Sequence, residues 1–130
     1  MIDAQGTGSV ITITAPDAVV RGLTLTGSGS SHQDIDSGVQ VKKGGDRAVV
    51  EGNRIVGNLY GVDVHGGQNV TVRGNLIEGR RDRRMNDRGN GVYVWTSPGL
   101  VVDGNVIDSG RDGIYVTIGR KLTFTRNRFT

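Results

Sequence analysis

Small aliphatic residues recur along the chain in short alternating runs, each led by glycine. Gly38-Val39-Gln40-Val41, Gly61-Val62-Asp63-Val64, Gly91-Val92-Tyr93-Val94 and Gly113-Ile114-Tyr115-Val116 are copies of one element. Such alternation is the pattern of a half-buried β-strand. A second phrase follows, as Val50-Glu51-Gly52-Asn53-Arg54-Ile55, Val72-Arg73-Gly74-Asn75-Leu76-Ile77 and Val102-Asp103-Gly104-Asn105-Val106-Ile107. Phe124-Thr125-Arg126-Asn127-Arg128-Phe129 is a worn copy, and Val20-Arg21-Gly22-Leu23-Thr24-Leu25 has Leu in place of Asn. From Leu23 to Asn53 is 30 residues, then 22 to Asn75, 30 to Asn105 and 22 to Asn127. The unit is therefore 22 residues, with 30 − 22 = 8 residues added in two places.

Each unit predicts three short strands. The first turns Val39/Val41, Val62/Val64, Val92/Val94 and Ile114/Val116 to one side. The second turns Ala48/Val50, Val70/Val72, Leu100/Val102 and Leu122/Phe124, and the third carries Asn53/Ile55, Asn75/Ile77, Asn105/Ile107 and Asn127/Phe129. Met1 to Thr26 forms the first coil, with Ile11 and Ile13 on its first strand. Gly22, Gly52, Gly74 and Gly104 stand at the corner between strands two and three, where unusual backbone angles are needed. Two solenoids fit so short a repeat. A leucine-rich repeat matches Leu100-x-Val102-x-x-Asn105-x-Ile107, but GVDV, GVYV and GIYV are alternating and β-branched where that fold needs helix or loose coil. The pattern predicts an all-β parallel β-helix, one segment over residues 1–130. Asn53, Asn75, Asn105 and Asn127 would then superimpose as a ladder, each amide satisfying its neighbours and the turn backbone. A polar channel is the other reading of that column, and the ladder is the stronger one.

Composition sharpens this picture. There are 22 Gly and 2 Pro without a collagen period, which suits many tight turns. The net charge of +3 is too small to point to a nucleic-acid partner. The absence of Cys excludes disulfides and thiolate metal sites. No apolar run approaches the ~18 residues of a membrane span.

Both insertions fall at one corner, between strand three and the next strand one. The first, residues 27–36, is GSGSSHQDID and carries Asp34 and Asp36. The second, residues 80–89, is RRDRRMNDRG, where Arg80, Arg81, Arg83, Arg84 and Arg88 stand against Asp82 and Asp87, so that 5 − 2 = +3. The two loops salt-bridge each other, or solvate a corner, or form a docking surface, because long loops on a rigid scaffold carry function. Flanking them are two outward columns, Gln40/Asp63/Tyr93/Tyr115 and Lys42/His65/Trp95/Thr117. Tyr93, Tyr115 and Trp95 either stabilise the sheet face or supply a sugar or protein contact. A copper or zinc site would have only His32, His65, Met85 and Met1 to draw on, a thin ligand supply. Cleavage or epimerisation of acidic polysaccharides would need carboxylates converging on one face, but Asp63, Asp103 and Asp108 fall in different columns. The residues therefore furnish no catalytic set, and a carbohydrate-binding or polysaccharide-processing β-helix remains the alternative class.

The runs VITITAPDAVVRGLTLTGSG, VEGNRIVGNLYGVDVHG, GRRDRRMNDRGNGVYVWTSPG and SGRDGIYVT resemble the NosD family, in order and with both insertions. That family comprises periplasmic β-helical proteins serving nitrous oxide reductase maturation. The resemblance implies a right-handed coil, a periplasmic location and a non-enzymatic role beside an ABC transporter and a copper chaperone, while the copper–sulfide centre of nitrous oxide reductase is assembled. It further implies that this segment is part of a longer solenoid from the N-terminal half. Copper would concern the full-length protein, and no cofactor is expected within this segment. The partner-binding residues expected here are Arg80, Arg81, Arg83, Arg84, Arg88, Tyr93, Trp95 and Tyr115.

Overall fold

The computed structural model describes residues 1–80, 88–108, 111–117 and 121–130. Among the described residues it contains sixteen strands and no helix. The first coil holds β1 (Ile2–Asp3), β2 (Ile11–Ile13), β3 (Val19–Arg21) and β4 (Thr24–Thr26). The second holds β5 (Ser37–Lys42), β6 (Val49–Glu51) and β7 (Arg54–Asn58). The third holds β8 (Tyr60–His65), β9 (Thr71–Arg73) and β10 (Leu76–Gly79). The fourth holds β11 (Val92–Trp95), β12 (Val101–Asp103) and β13 (Val106–Asp108), and the fifth β14 (Ile114–Thr117), β15 (Thr123–Thr125) and β16 (Arg128–Phe129).

Every third strand belongs to the same sheet. The sheets run β2-β5-β8-β11-β14, β3-β6-β9-β12-β15 and β1-β4-β7-β10-β13-β16. All pairings are parallel, and the register aligns like with like: Val39 with Val62 and Val92, Val50 with Val72 and Val102, Ile55 with Ile77 and Ile107. This is the parallel β-helix that the spacing predicts, with no helical segment among the described residues to sustain the leucine-rich alternative. The three inward columns fill the interior with fully buried Val, Ile and Leu. β-branched side chains suit this packing because one rotamer repeats up each column.

Two backbone demands explain the glycines. Gly22, Gly52, Gly74 and Gly104 adopt φ between +62 and +67, the left-handed corner expected from the sequence. Gly61 answers a different need. A Cβ there would lie 2.4 Å from the Gly91 carbonyl oxygen and 2.4 Å from Ile77 Cγ2. Backbone cannot yield cheaply, so Gly61→Ala is expected to lower stability by about 1–3 kcal/mol, measured by urea denaturation.

The asparagine column forms as predicted. Asn75 Oδ1 accepts the Asn53 backbone N–H at 3.0 Å and Asn53 Nδ2 at 3.1 Å. Asn75 Nδ2 donates to Val50 O at 2.9 Å and to Asn105 Oδ1 at 3.0 Å. Asn105 repeats the pattern onto Asn127, and Asn53 Oδ1 accepts the Leu23 N–H at 3.0 Å. The turn that the third strand starts from is thus sealed from within.

A second column, on the outside, alternates in charge. Arg21, Glu51, Arg73 and Asp103 are neighbours in register across β3, β6, β9 and β12. Arg21 donates to Glu51, and Arg73 Nη2 donates to its other oxygen at 2.5 Å. Asp103 accepts from Arg126 at 2.5 and 2.9 Å and from Thr125 at 2.9 Å. Arg73 and then Arg21 hold the Glu51 carboxyl below its usual range, and Arg126 and then Thr125 do the same for Asp103.

Candidate functional site

The outer face of the β2-β5-β8-β11-β14 sheet carries the two columns expected from the sequence. Gln40 aligns with Asp63, Tyr93 and Tyr115, and Lys42 with His65, Trp95 and Thr117. Coil stacking brings the rings together. Tyr93 and Tyr115 stack with centroids 5.5 Å apart and planes 12° from parallel, and His65 and Trp95 at 5.4 Å and 4°. Tyr60 meets Tyr93 edge-on at 5.6 Å, and His32 meets Tyr60 edge-on at 5.8 Å. His32 Nδ1 also lies 3.1 Å from the Tyr60 hydroxyl. One aromatic chain therefore runs from the first insertion to the fifth coil. Its outer end is open to solvent, with Tyr115 47% exposed, and in the neighbouring column Trp95 is 38% exposed.

The other end of the first column departs from the expectation of outward residues. Gln40 and Asp63 are buried, because the first insertion folds over them. Gln40 Nε2 donates to Asp34 O at 3.0 Å, to Ile35 O at 3.4 Å and to Asp63 Oδ2 at 3.2 Å. Asp63 Oδ1 is buried without a hydrogen-bond partner. Burial pushes the Asp63 carboxyl up to about 7, against the opposing hydrogen bond from Gln40 and the charge of Lys42.

The roots of the two insertions are joined by polar groups that sequence reasoning passed over. Asn58 Oδ1 accepts the Ser28 N–H at 3.1 Å, and Asn58 Nδ2 donates to Leu25 O at 3.0 Å. Arg80 donates to Gly57 O at 2.9 Å, Ser30 Oγ at 2.8 Å and Ser28 O at 2.5 Å. The signal was in the ruler: 23 + 5 = 28, 53 + 5 = 58 and 75 + 5 = 80 place Ser28, Asn58 and Arg80 at one step past the ladder position. Arg80 thus clamps the first insertion through uncharged oxygens. Within the first insertion, Asp34 accepts from Ser31 Oγ at 3.1 Å and Asp36 from the Ser31 N–H at 3.0 Å. Arg88 is half-buried beside Gly89. Arg81, Arg83, Arg84 and Met85 lie outside the described residues.

Of the candidate metal-binding histidines, His32 lies against Tyr60 and His65 against Trp95. No group of three or more His, Cys, Asp or Glu gathers among the described residues. Nor does any described helix have the length and apolarity to cross a membrane.

Residues 9–130 match the family model described as a right-handed β-helix region. The chain belongs to the right-handed β-helix family. The match covers all but the first few residues, and the handedness of the coil follows from it. Within this family the chain is similar to the probable ABC transporter binding protein NosD of Stutzerimonas stutzeri, at 40% identity over 113 residues. It is also similar to the protein of the same name in Pseudomonas aeruginosa, at 34% over 112 residues. These alignments cover 87% and 86% of this chain and 26% of each relative, so the chain spans about a quarter of their length. The resemblance to NosD drawn from the sequence therefore holds along most of the chain.

Proposed function

We propose that this β-helix segment is a non-catalytic docking scaffold for an ABC transporter, working in the periplasm as part of a longer solenoid. The observation that carries this reading is the exposed aromatic end of the sheet, Trp95 and Tyr115, on a chain similar to two proteins named as probable transporter binding proteins. Aromatic side chains held rigid by stacking lose little entropy on binding, which makes them effective anchors in interfaces. In this reading the arginines of the second insertion contribute guanidinium groups to docking, and Arg80 is their footing rather than a contact. The scaffold would serve assembly of the copper–sulfide centre of nitrous oxide reductase together with a copper chaperone. Copper would be cargo handled by the full-length protein.

The test replaces Trp95 and Tyr115 with Ala in the full-length protein and measures binding to the detergent-solubilised transporter. Circular dichroism should be unchanged, and affinity is expected to fall at least about tenfold. Replacing Arg81, Arg83 and Arg84 together should weaken binding further and lower the copper content of co-expressed reductase. Unchanged binding in both variants would remove this face from the mechanism.

A further inference from the structure

The corner between strands two and three runs up the solenoid as a bare track. Gly22, Gly52, Gly74 and Gly104 form its floor, and a Cβ at any of them would meet nothing within 4 Å. Charged side chains stand on both sides. Arg21, Glu51, Arg73 and Asp103 hold the last outward position of strand two. Arg54 and Arg128 hold the first outward position of strand three, with Leu76 and Val106 between them in register. In the fifth coil Arg126 takes the place of the corner glycine, at φ +52. A left-handed backbone is uncommon for such a residue, and strain of this kind gathers at functional sites.

The corner therefore sets five arginines against two acids, 5 − 2 = +3, and the acids lie underneath. Arg21, Arg73 and Arg126 have 67%, 55% and 79% of their side chains exposed, against 17% for Glu51 and 11% for Asp103. The acids of the neighbouring sheet, Asp3, Glu78 and Asp108, stand at the far end of their strands. Among the described residues Arg21 donates one hydrogen bond, through Nε, and Arg73 one, through Nη2, so most of each fork is open. Arg54 and Arg128 are exposed and form no hydrogen bond or ion pair among the described residues. Arg21 and Arg73 close on Glu51 with Arg54 across the track, and Arg126 closes on Asp103 with Arg128 across the track. These two guanidinium clusters are two coils apart, roughly 9.6 Å. A polyproline-II chain returns to one side every third residue, about 9.3 Å, whereas a β-strand would turn that residue away.

We propose that this glycine corner is the docking track for an extended acidic segment of a partner protein, with carboxylates three residues apart seated on the two arginine clusters. Each incoming carboxylate repeats what Glu51 already does, accepting from more than one guanidinium. The forks favour a peptide over a membrane, which reads net charge and takes lysine as readily. This goes beyond docking through the aromatic end of the strand-one sheet and uses none of its residues, so either can fail alone.

The full-length protein is titrated by fluorescence anisotropy with labelled peptides of repeating Glu-Pro-Pro, of repeating Gln-Pro-Pro, and of the first composition with its glutamates gathered at one end. Saturable binding of the Glu-Pro-Pro peptide is expected, at least about tenfold tighter than of the other two. The variant Arg54→Ala/Arg128→Ala breaks no ion pair among the described residues and should weaken binding at least about tenfold while circular dichroism is unchanged. Arg21→Lys/Arg73→Lys keeps the charge, loses the forks and should weaken it about fivefold. No saturable binding up to about 1 mM overturns the proposal, as does equal affinity for the peptide with gathered glutamates. Undiminished binding in either variant places the acid elsewhere and overturns it too. Phosphatidylglycerol vesicles form the last arm: cosedimentation that survives the lysine exchange, without peptide binding, assigns the corner to a membrane and likewise overturns it.

Discussion

Replacing Asn75 with Leu is expected to lower the unfolding free energy by about 3 kcal/mol. Leu fills much the same space, so the loss is one of hydrogen bonds. The Asn53 backbone N–H loses the Asn75 Oδ1 acceptor it meets at 3.0 Å, and Val50 O loses its side-chain donor at 2.9 Å. Both groups are buried, and an orphaned buried donor or acceptor costs about 1–3 kcal/mol. Asn75→Asp is expected to be at least as damaging at neutral pH, because a carboxylate oxygen would then face Val50 O and Asn105 Oδ1. It should recover partly in acid, where the protonated oxygen donates again. Asn127→Leu should cost less, since Asn127 lies in the fifth coil and is only half-buried. Urea unfolding of the three variants checks the order. Equal losses at Asn75 and Asn127 would mean that the ladder acts through side-chain volume alone.

Asp63→Asn is expected to stabilise the protein at pH 8 by about 2–4 kcal/mol and to do little near pH 4. The buried carboxyl is pushed from its ordinary 3.8 up to about 7. Between these values the folded chain keeps a proton that the unfolded chain has released, so stability falls as pH rises through this window. Above about pH 7 the full penalty of the buried anion remains. Glu51 and Asp103 act in the opposite sense, because their carboxyls are held below the usual range. Their contribution is present at neutral pH and is lost as pH falls below the ordinary carboxylate range. Together these groups set the stability optimum on the acid side of neutrality. In thermal unfolding at pH 8 the variant should gain about 10 °C. A gain of the same size at pH 4 would show that burial of the charge is not its cause.

Periodicity made the core, the corner glycines and the Asn ladder legible, because each is a column and a column is a fixed offset in sequence. The groups that shape the candidate site are not all of this kind. Gln40 and Asp63 stand at positions that the alternation points outward, and they are buried only because the first insertion folds over them. An insertion has no partner at the repeat distance, so its direction cannot be read from the period. Arg80 misleads in a related way. Its neighbours suggest a solvated basic loop, yet it sits one step along the column begun by Ser28 and Asn58, where its guanidinium meets carbonyl oxygens. Tyr60 belongs to no repeated column of aromatics, and only the stacking of coils reveals that it joins His32 to Tyr93.

The alternating charges on the outer face of β3, β6, β9 and β12 restrict how such a solenoid can change length. Arg21 and Arg73 belong to coils followed by the long spacing of 30, and Glu51 and Asp103 to coils followed by the short spacing of 22. Excising one coil would stack Arg21 on Arg73 or Glu51 on Asp103 and set like charges side by side. Excising two, 30 + 22 = 52 residues, restores an acid next to a base and an insertion above a plain turn. The heritable and engineerable module of this chain is therefore a double turn, and viable deletions or duplications should come in pairs of coils.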